Sequence, residues 1–131
     1  MRHRKYRGKF GRRINARRAL FKELVRQLFL NGRIKTTVAK AKVIRKFAER
    51  LLSIAKEDNF NNRRRLHQFF GKRDIVRHVF ENITPAIKDR NGGYTAIYKV
   101  GFRRGDAAEM AVIEVIDYWK RLNEEEKETE E

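Results

Sequence analysis

Four carboxylates near one another in sequence, Asp106, Glu109, Glu114 and Asp117, are the residues of this chain best suited to catalysis. Metal-dependent cleavage of phosphodiesters uses clustered carboxylates beside a lysine. The spacing here argues against it. Glu114 and Asp117 lie three positions apart, which on an expected strand sends them to opposite faces. Ile116 stands two residues after Glu114, so a Glu-x-Lys step is missing. A metal site has as little support. His3, His67 and His78 form no H-x-x-x-H pair, and there is no cysteine to join them. Neither phosphate-cradling glycine pattern, G-x-x-x-x-G-K or G-x-G-x-x-G, occurs. Arg104-Gly105-Asp106 matches a cell-adhesion tripeptide, and in a cysteine-free chain without a signal peptide that match reads as accidental. The expectation is a non-enzyme with no catalytic residue, no metal, no cofactor and no small-molecule substrate.

The cations tell more. The first 22 residues hold ten Lys or Arg and no Asp or Glu. Arg2, Arg4, Lys5, Arg7, Lys9, Arg12 and Arg13, with His3 among them, form an arm that repels itself unless a polyanion neutralises it. Arg17, Arg18 and Lys22 continue the charge into the next segment. Lys35, Thr36, Thr37, Lys40 and Lys42 surround an expected helix N-terminus, whose free N–H groups favour a phosphate. Arg63-Arg64-Arg65, with Arg64 at its centre, supplies guanidiniums that hold phosphate in a fork and stack on bases. Arg90 and the Gly92-Gly93 pair would let backbone approach a sugar-phosphate chain while Tyr94 stacks. Arg103 and Arg104 sit at an expected hairpin tip. Any one cluster alone reads as a solvated face. Together they give a net charge of +16, and residues 1–122 carry 32 basic against 11 acidic residues. Charge of that size predicts a polyanionic partner. A DNA reader puts one basic helix into a groove. Charge spread over an arm, helices, a loop and a hairpin fits a compact RNA that touches the protein from several sides.

These side chains need elements to hold them. Residues 1–14, with Gly8 and Gly11, read as an extended arm. Asn15 is the expected N-cap of a helix from Ala16 to Leu30, whose Leu20, Phe21, Leu24, Val25, Leu28 and Phe29 make one apolar face. Asn31-Gly32 stops it. Arg33 to Thr36 suits a short strand, and Thr37 caps a second helix from Val38 to Lys56. A third helix runs from Phe60 to Phe70, stopped at Gly71. Another starts at Asp74, and Thr84-Pro85 reads as the cap and first position of a further turn. After the Asn91-Gly92-Gly93 turn, Tyr94–Phe102 and Met110–Tyr118 read as an antiparallel pair. The fold class is therefore α+β, with four or so helices packed on a small sheet and a basic N-terminal arm. The expected organisation is the arm (1–14), one RNA-binding domain (15–118) and a flexible acidic tail (119–131). The 131-residue length suits a single domain, and the lack of cysteine suits a reducing compartment. No apolar run approaches the roughly 18 residues of a membrane span. The basic N-terminus lacks the apolar stretch of a signal peptide. The expected place is the cytoplasm, away from membranes.

Taken together, these segments resemble bacterial ribosomal protein seventeen of the large subunit. The resemblance covers Met1 to about Asp117. It is carried by Met1-Arg2-His3-Arg4-Lys5, by the stretch from Ile34-Lys35-Thr36-Thr37 to Lys40-Ala41-Lys42 with Glu49, Leu51 and Leu52, by Asn91-Gly92-Gly93-Tyr94-Thr95, and by the segment from Gly101 to Ala107. The chain departs from the family's pattern at Ala16 and Ala96, and the Glu-rich end lies outside it. The resemblance implies an α+β domain bound to large-subunit ribosomal RNA near the polypeptide exit tunnel, with neighbouring large-subunit proteins as further partners. It implies a structural role in assembly and translation, without turnover.

Overall fold

Apolar residues spaced by three and four make the first helix. In the computed structural model, which describes residues 14–130, α1 spans Ile14–Asn31 and buries Phe21, Val25, Leu28 and Phe29. Asn15 is not its cap, because the helix has already begun at Ile14. Gly32 ends it at φ +82°, its N–H donating to the Leu28 carbonyl at 2.8 Å. β1 follows at Arg33–Thr37. Thr37 keeps an extended backbone, and its hydroxyl accepts from the Lys40 N–H at 3.4 Å, which starts α2, Val38–Ala55. Asn59 caps α3, Phe60–Phe70, through the Asn62 N–H at 2.9 Å, and left-handed Gly71 closes it.

The next helical stretch is continuous, where a stop and restart were expected. α4 (Arg73–His78) passes through a π-helical turn (Val79–Ile83) into α5 (Thr84–Ile87). Thr84 has helical angles, so it is not an N-cap. Its hydroxyl instead donates to the Ala55 carbonyl at 2.8 Å and ties this stretch to the end of α2. Pro85 has no N–H to give the preceding turn, and the wider π-turn carries the chain past that gap.

β2 (Thr95–Phe102) and β3 (Glu109–Val115) form the expected hairpin, and β1 pairs antiparallel on the other side of β3, giving the order β1-β3-β2. The strand expected to reach Tyr118 stops at Val115. The ladder ends there: β1 has reached Arg33 opposite Glu114, and β2 has reached Thr95 opposite Val115. Ile116 still donates its N–H to the Tyr94 carbonyl at 2.9 Å, and with no strand pairing beyond that the chain turns into α6, Ile116–Glu130. Tyr118 is buried, and Leu122, one helical turn on, packs against the core.

One face of the sheet carries Ala111, Ile113 and Val115, all fully buried beneath the helices. α1 and α2 close over it with Leu28, Phe29, Ile44 and Leu52, and α3, α4, the π-turn and α5 extend the same core through Leu66, Ile75, Val79 and Ile87. Phe21, Phe29, Phe47, Phe69 and Phe70 form a chain of ring contacts with centroids 4.9 to 6.1 Å apart. His78 joins three helices. Its Nε2 lies 3.0 Å from both the Phe29 carbonyl and the Tyr118 hydroxyl, and its Nδ1 lies 3.1 Å from the Asn82 amide nitrogen. A carbonyl only accepts, so Nε2 bears the proton and Nδ1 accepts from Asn82.

Candidate nucleic-acid interface

The fold gathers cations that lie far apart in sequence. Pairing of β1 with β3 brings the β1–α2 junction beside the hairpin tip. Lys35, Arg103 and Arg104 line one open cleft there, with Val100, Phe102 and Met110. A second cleft beside it is lined by Thr37, Lys42 and Lys46 and by Ala108 and Glu109 of the hairpin. Lys35 and Lys42 are exposed, and Lys40 is half-buried at the first turn of α2. Thr36 is only 8% exposed, because it lies on the core face opposite Ala111. It helps place the junction and presents no hydroxyl to a ligand.

At the hairpin tip, Arg103 and Arg104 differ in role. The Arg103 Nε donates to Asp106 Oδ1 at 3.1 Å, and its Nη2 pairs with Oδ2. Asp106 also accepts from the Ala108 N–H at 3.2 Å. These bonds, the Arg103 guanidinium foremost, hold the Asp106 carboxyl down at about 2. Arg103 therefore shapes the turn, in which Gly105 and Ala107 take positive φ. Arg104, with no ion-pair partner among the described residues, offers its charge outward.

The glycine loop is built from within. The Glu49 carboxylate on α2 accepts from the Tyr94 N–H at 3.1 Å, the Thr95 N–H at 2.9 Å and the Thr95 hydroxyl at 2.7 Å. Arg90 makes a two-point contact with Asp117, at 2.8 and 3.3 Å, so its guanidinium joins the loop to α6. The pairing raises the Arg90 pKa, through the hydrogen bonds first and the charge second. Lys56 donates to the Arg90 carbonyl at 2.6 Å and lies 5.9 Å from the Tyr94 ring. Tyr94 is 2% exposed, so its ring cannot stack on a base as expected. Gly92 and Gly93 remain exposed, with open space where a Cβ would stand.

Two helical faces complete the surface. Arg18 and Lys22 line a cleft of α1 with Arg26 and Lys72, beside the half-buried Arg17. Arg64 lies between α3 and α4 with Phe60, His67, Arg73 and Arg77. Its neighbour Arg63 is tied to Asp58 at 2.6 Å and sits 5.0 Å over the Phe80 ring, which leaves Arg64 as the outward guanidinium of that pair. Sequence reading missed Arg73 and the exposed aromatics Phe60, Tyr98 and Phe102. The signal for Phe60 was available: it follows the Asn59 cap but lies off the apolar stripe of Leu66 and Phe70. Arg2, His3, Arg4, Lys5, Arg7, Lys9, Arg12 and Arg13 lie outside the described residues.

The four carboxylates weighed for catalysis each face a cation of their own. Asp106 faces Arg103, Glu109 faces Lys99 at 3.5 Å, Glu114 faces Arg33 at 3.9 Å, and Asp117 faces Arg90. Asp117 belongs to α6, not to a strand. Among the described residues no group of His, Asp and Glu could hold a metal ion, and no helix is long and apolar enough to cross a membrane.

Comparison with known proteins gives one family. The sequence profile described as Ribosomal protein L17 matches residues 20–116. A large ribosomal subunit protein bL17 of Finegoldia magna is 46% identical over 121 residues, covering 92% of each chain. That of Dictyoglomus thermophilum is 51% identical over 116 residues, covering 88% of this chain and 100% of the relative. That of Thermodesulfovibrio yellowstonii is 41% identical over 128 residues, covering 98% and 96%.

Proposed function

This chain belongs to the ribosomal protein L17 family, and on that premise we propose that it binds large-subunit ribosomal RNA near the polypeptide exit tunnel and supports assembly and translation. It is a structural protein of the large ribosomal subunit and not an enzyme. Its partners are the ribosomal RNA and the neighbouring large-subunit proteins, in the cytoplasm. The observation that carries the RNA reading is the division of the cations into two groups. Arg63, Arg90 and Arg103 are engaged by carboxylates and build the fold. Arg18, Lys22, Lys35, Lys42, Arg64 and Arg104 have no ion-pair partner among the described residues and stand on separate faces. A compact RNA that wraps the domain neutralises such faces together, with phosphate and shape contacts dominating. In this reading the arm threads between RNA segments, the domain docks, and the Glu-rich segment shields the basic surface before assembly.

Equilibrium binding of the full chain to large-subunit ribosomal RNA, measured across a salt series, tests this. Each neutralised phosphate contributes about −0.7 to −0.9 to the log–log slope. A slope steeper than about −4 is expected, and an affinity unchanged between low and moderate salt would refute RNA binding. Removing residues 1–13 should lower incorporation into large subunits in cells. Normal incorporation would refute the role of the arm.

A further inference from the structure

The helices cover one face of the sheet and leave the other open around Lys35 and Tyr98, while its near end, at Glu114, is covered. Of the five exposed large hydrophobic residues among those described, three are on β2: Tyr98 and Val100, each 50% exposed, and Phe102 at 73%. Scattered single apolar residues need no explanation, but three on one strand do. They adjoin cations. Across the three strands, Lys35 of β1 stands beside Val112 of β3, which stands beside Tyr98 of β2. Period-two alternation places these three opposite the buried face that carries Ala111 and Ile113. At the distal end, Phe102 and Val100 share a cleft with Lys35 and Arg104.

Tyr98 lies near Glu114 of the neighbouring strand, whose negative charge foremost pushes the phenol above its usual pKa. Glu114 is itself only 8% exposed and faces Arg33. A ring carried on a paired strand and half-exposed over the sheet offers one face for stacking.

We propose that the open sheet face, centred on Tyr98 and Lys35, is a platform for unpaired RNA nucleotides, with a base stacked on Tyr98 and flanking phosphates on Lys35 and Arg104. Charge decides between this occupant and an apolar protein segment. Lys35 lies on edge strand β1 in the same row as Tyr98, and with Arg104 it lines the cleft that holds Val100 and Phe102. A dry protein segment seated in that cleft would press two cations against apolar surface without a counter-ion, whereas a nucleotide brings a phosphate to them. A duplex offers no free base face, so the ligand is single-stranded. The proposal rests on the RNA-binding reading and adds to it a place and a mode.

The test uses the full chain with two probes at matched salt: a 12-nucleotide adenosine-rich single strand and a 16-base-pair RNA duplex. Tyr98→Leu keeps an apolar side chain and removes the aromatic face. It should weaken single-strand binding about tenfold and leave the duplex affinity and both salt slopes unchanged. Tyr98→Phe should bind the single strand within about twofold of the parent, because the ring remains. Photo-crosslinking of a 4-thiouridine single strand should label the peptide that contains Tyr98. Equal single-strand affinity for the parent and Tyr98→Leu would overturn the platform while leaving general RNA binding standing. So would parallel losses on both probes. Intact RNA binding by Tyr98→Leu with poor incorporation into the particle would assign the face to a protein neighbour, and also overturn it. A parent chain that binds neither probe would sink the RNA reading itself, and the platform with it.

Discussion

Glu49 is the residue on which the glycine loop depends most. Its carboxylate is the acceptor for two backbone N–H groups, those of Tyr94 and Thr95, and both residues are at most 3% exposed. Water cannot readily replace it there. Glu49→Ala leaves both donors, and the Thr95 hydroxyl, without their acceptor. A buried donor left unsatisfied costs about 1–3 kcal/mol, so the expected loss is about 2–5 kcal/mol. Glu49→Gln is intermediate on geometric grounds. One side-chain oxygen still accepts from the Thr95 N–H and hydroxyl, but an NH2 now meets the Tyr94 N–H, donor against donor. About 1–3 kcal/mol should be lost. Urea unfolding followed by circular dichroism, at constant salt, gives both values, with the slope against urea unchanged. Hydrogen exchange adds a local readout: the Tyr94 and Thr95 amides should lose protection in Glu49→Ala while β3 keeps it. An alanine variant within about 0.5 kcal/mol of the parent would refute the reasoning, because it would show that the loop finds its conformation without the carboxylate.

Other outcomes follow from the same geometry. Gly32→Ala puts a Cβ at positive φ, 3.0 Å from Leu122 and 3.3 Å from Trp119, and should cost about 1–3 kcal/mol, seen as a lower unfolding midpoint and a red shift in the emission of Trp119, the single tryptophan. His78→Ala removes the link from α4 to the Phe29 carbonyl and the Tyr118 hydroxyl and should cost about 1–3 kcal/mol, read by thermal unfolding; His78→Ala with an unchanged midpoint would argue against that link. Asp106 titrates at about 2 in the folded chain, below its usual 3.8. A depressed carboxylate contributes fully above its unfolded value and loses that contribution as pH falls through the folded one, so the hairpin tip should stay intact down to about pH 4 and loosen between about pH 4 and 2. Carboxyl-carbon NMR shifts should show this midpoint, and Arg103→Ala should return it toward 3.8.

Local chemistry was the legible part of this chain. Thr37, Gly32 and Gly71 end or begin helices where a cap or a left-handed stop was read, because capping depends on residues within one turn. The α+β class followed from the same local patterns. What was not legible depended on distant partners. Residues 116 onward could have extended a strand, and only the exhaustion of β1 and β2 as partners turns them into α6. Tyr94 looks like a stacking residue beside two glycines until Glu49, 45 positions away, draws its backbone inward. Arg90 looks like a free cation until Asp117, 27 positions on, engages it. Composition counts charges, and the fold decides which of them face out.

The strand order sets a timetable for synthesis. β3 is the centre of the sheet, and it pairs with β1 at a separation of 81 positions, Arg33 to Glu114. A nascent chain shorter than about 115 residues can form α1, α2 and α3 but cannot close the sheet, because β1 and β2 each pair only with β3. Such non-local pairing is slow, and it leaves strand edges and apolar surface open meanwhile. The helices are thus a scaffold that waits for its keystone strand. Until β3 arrives, the halves of the β1–α2 and hairpin-tip cleft remain apart, and full RNA affinity at that cleft should appear only when β3 seats.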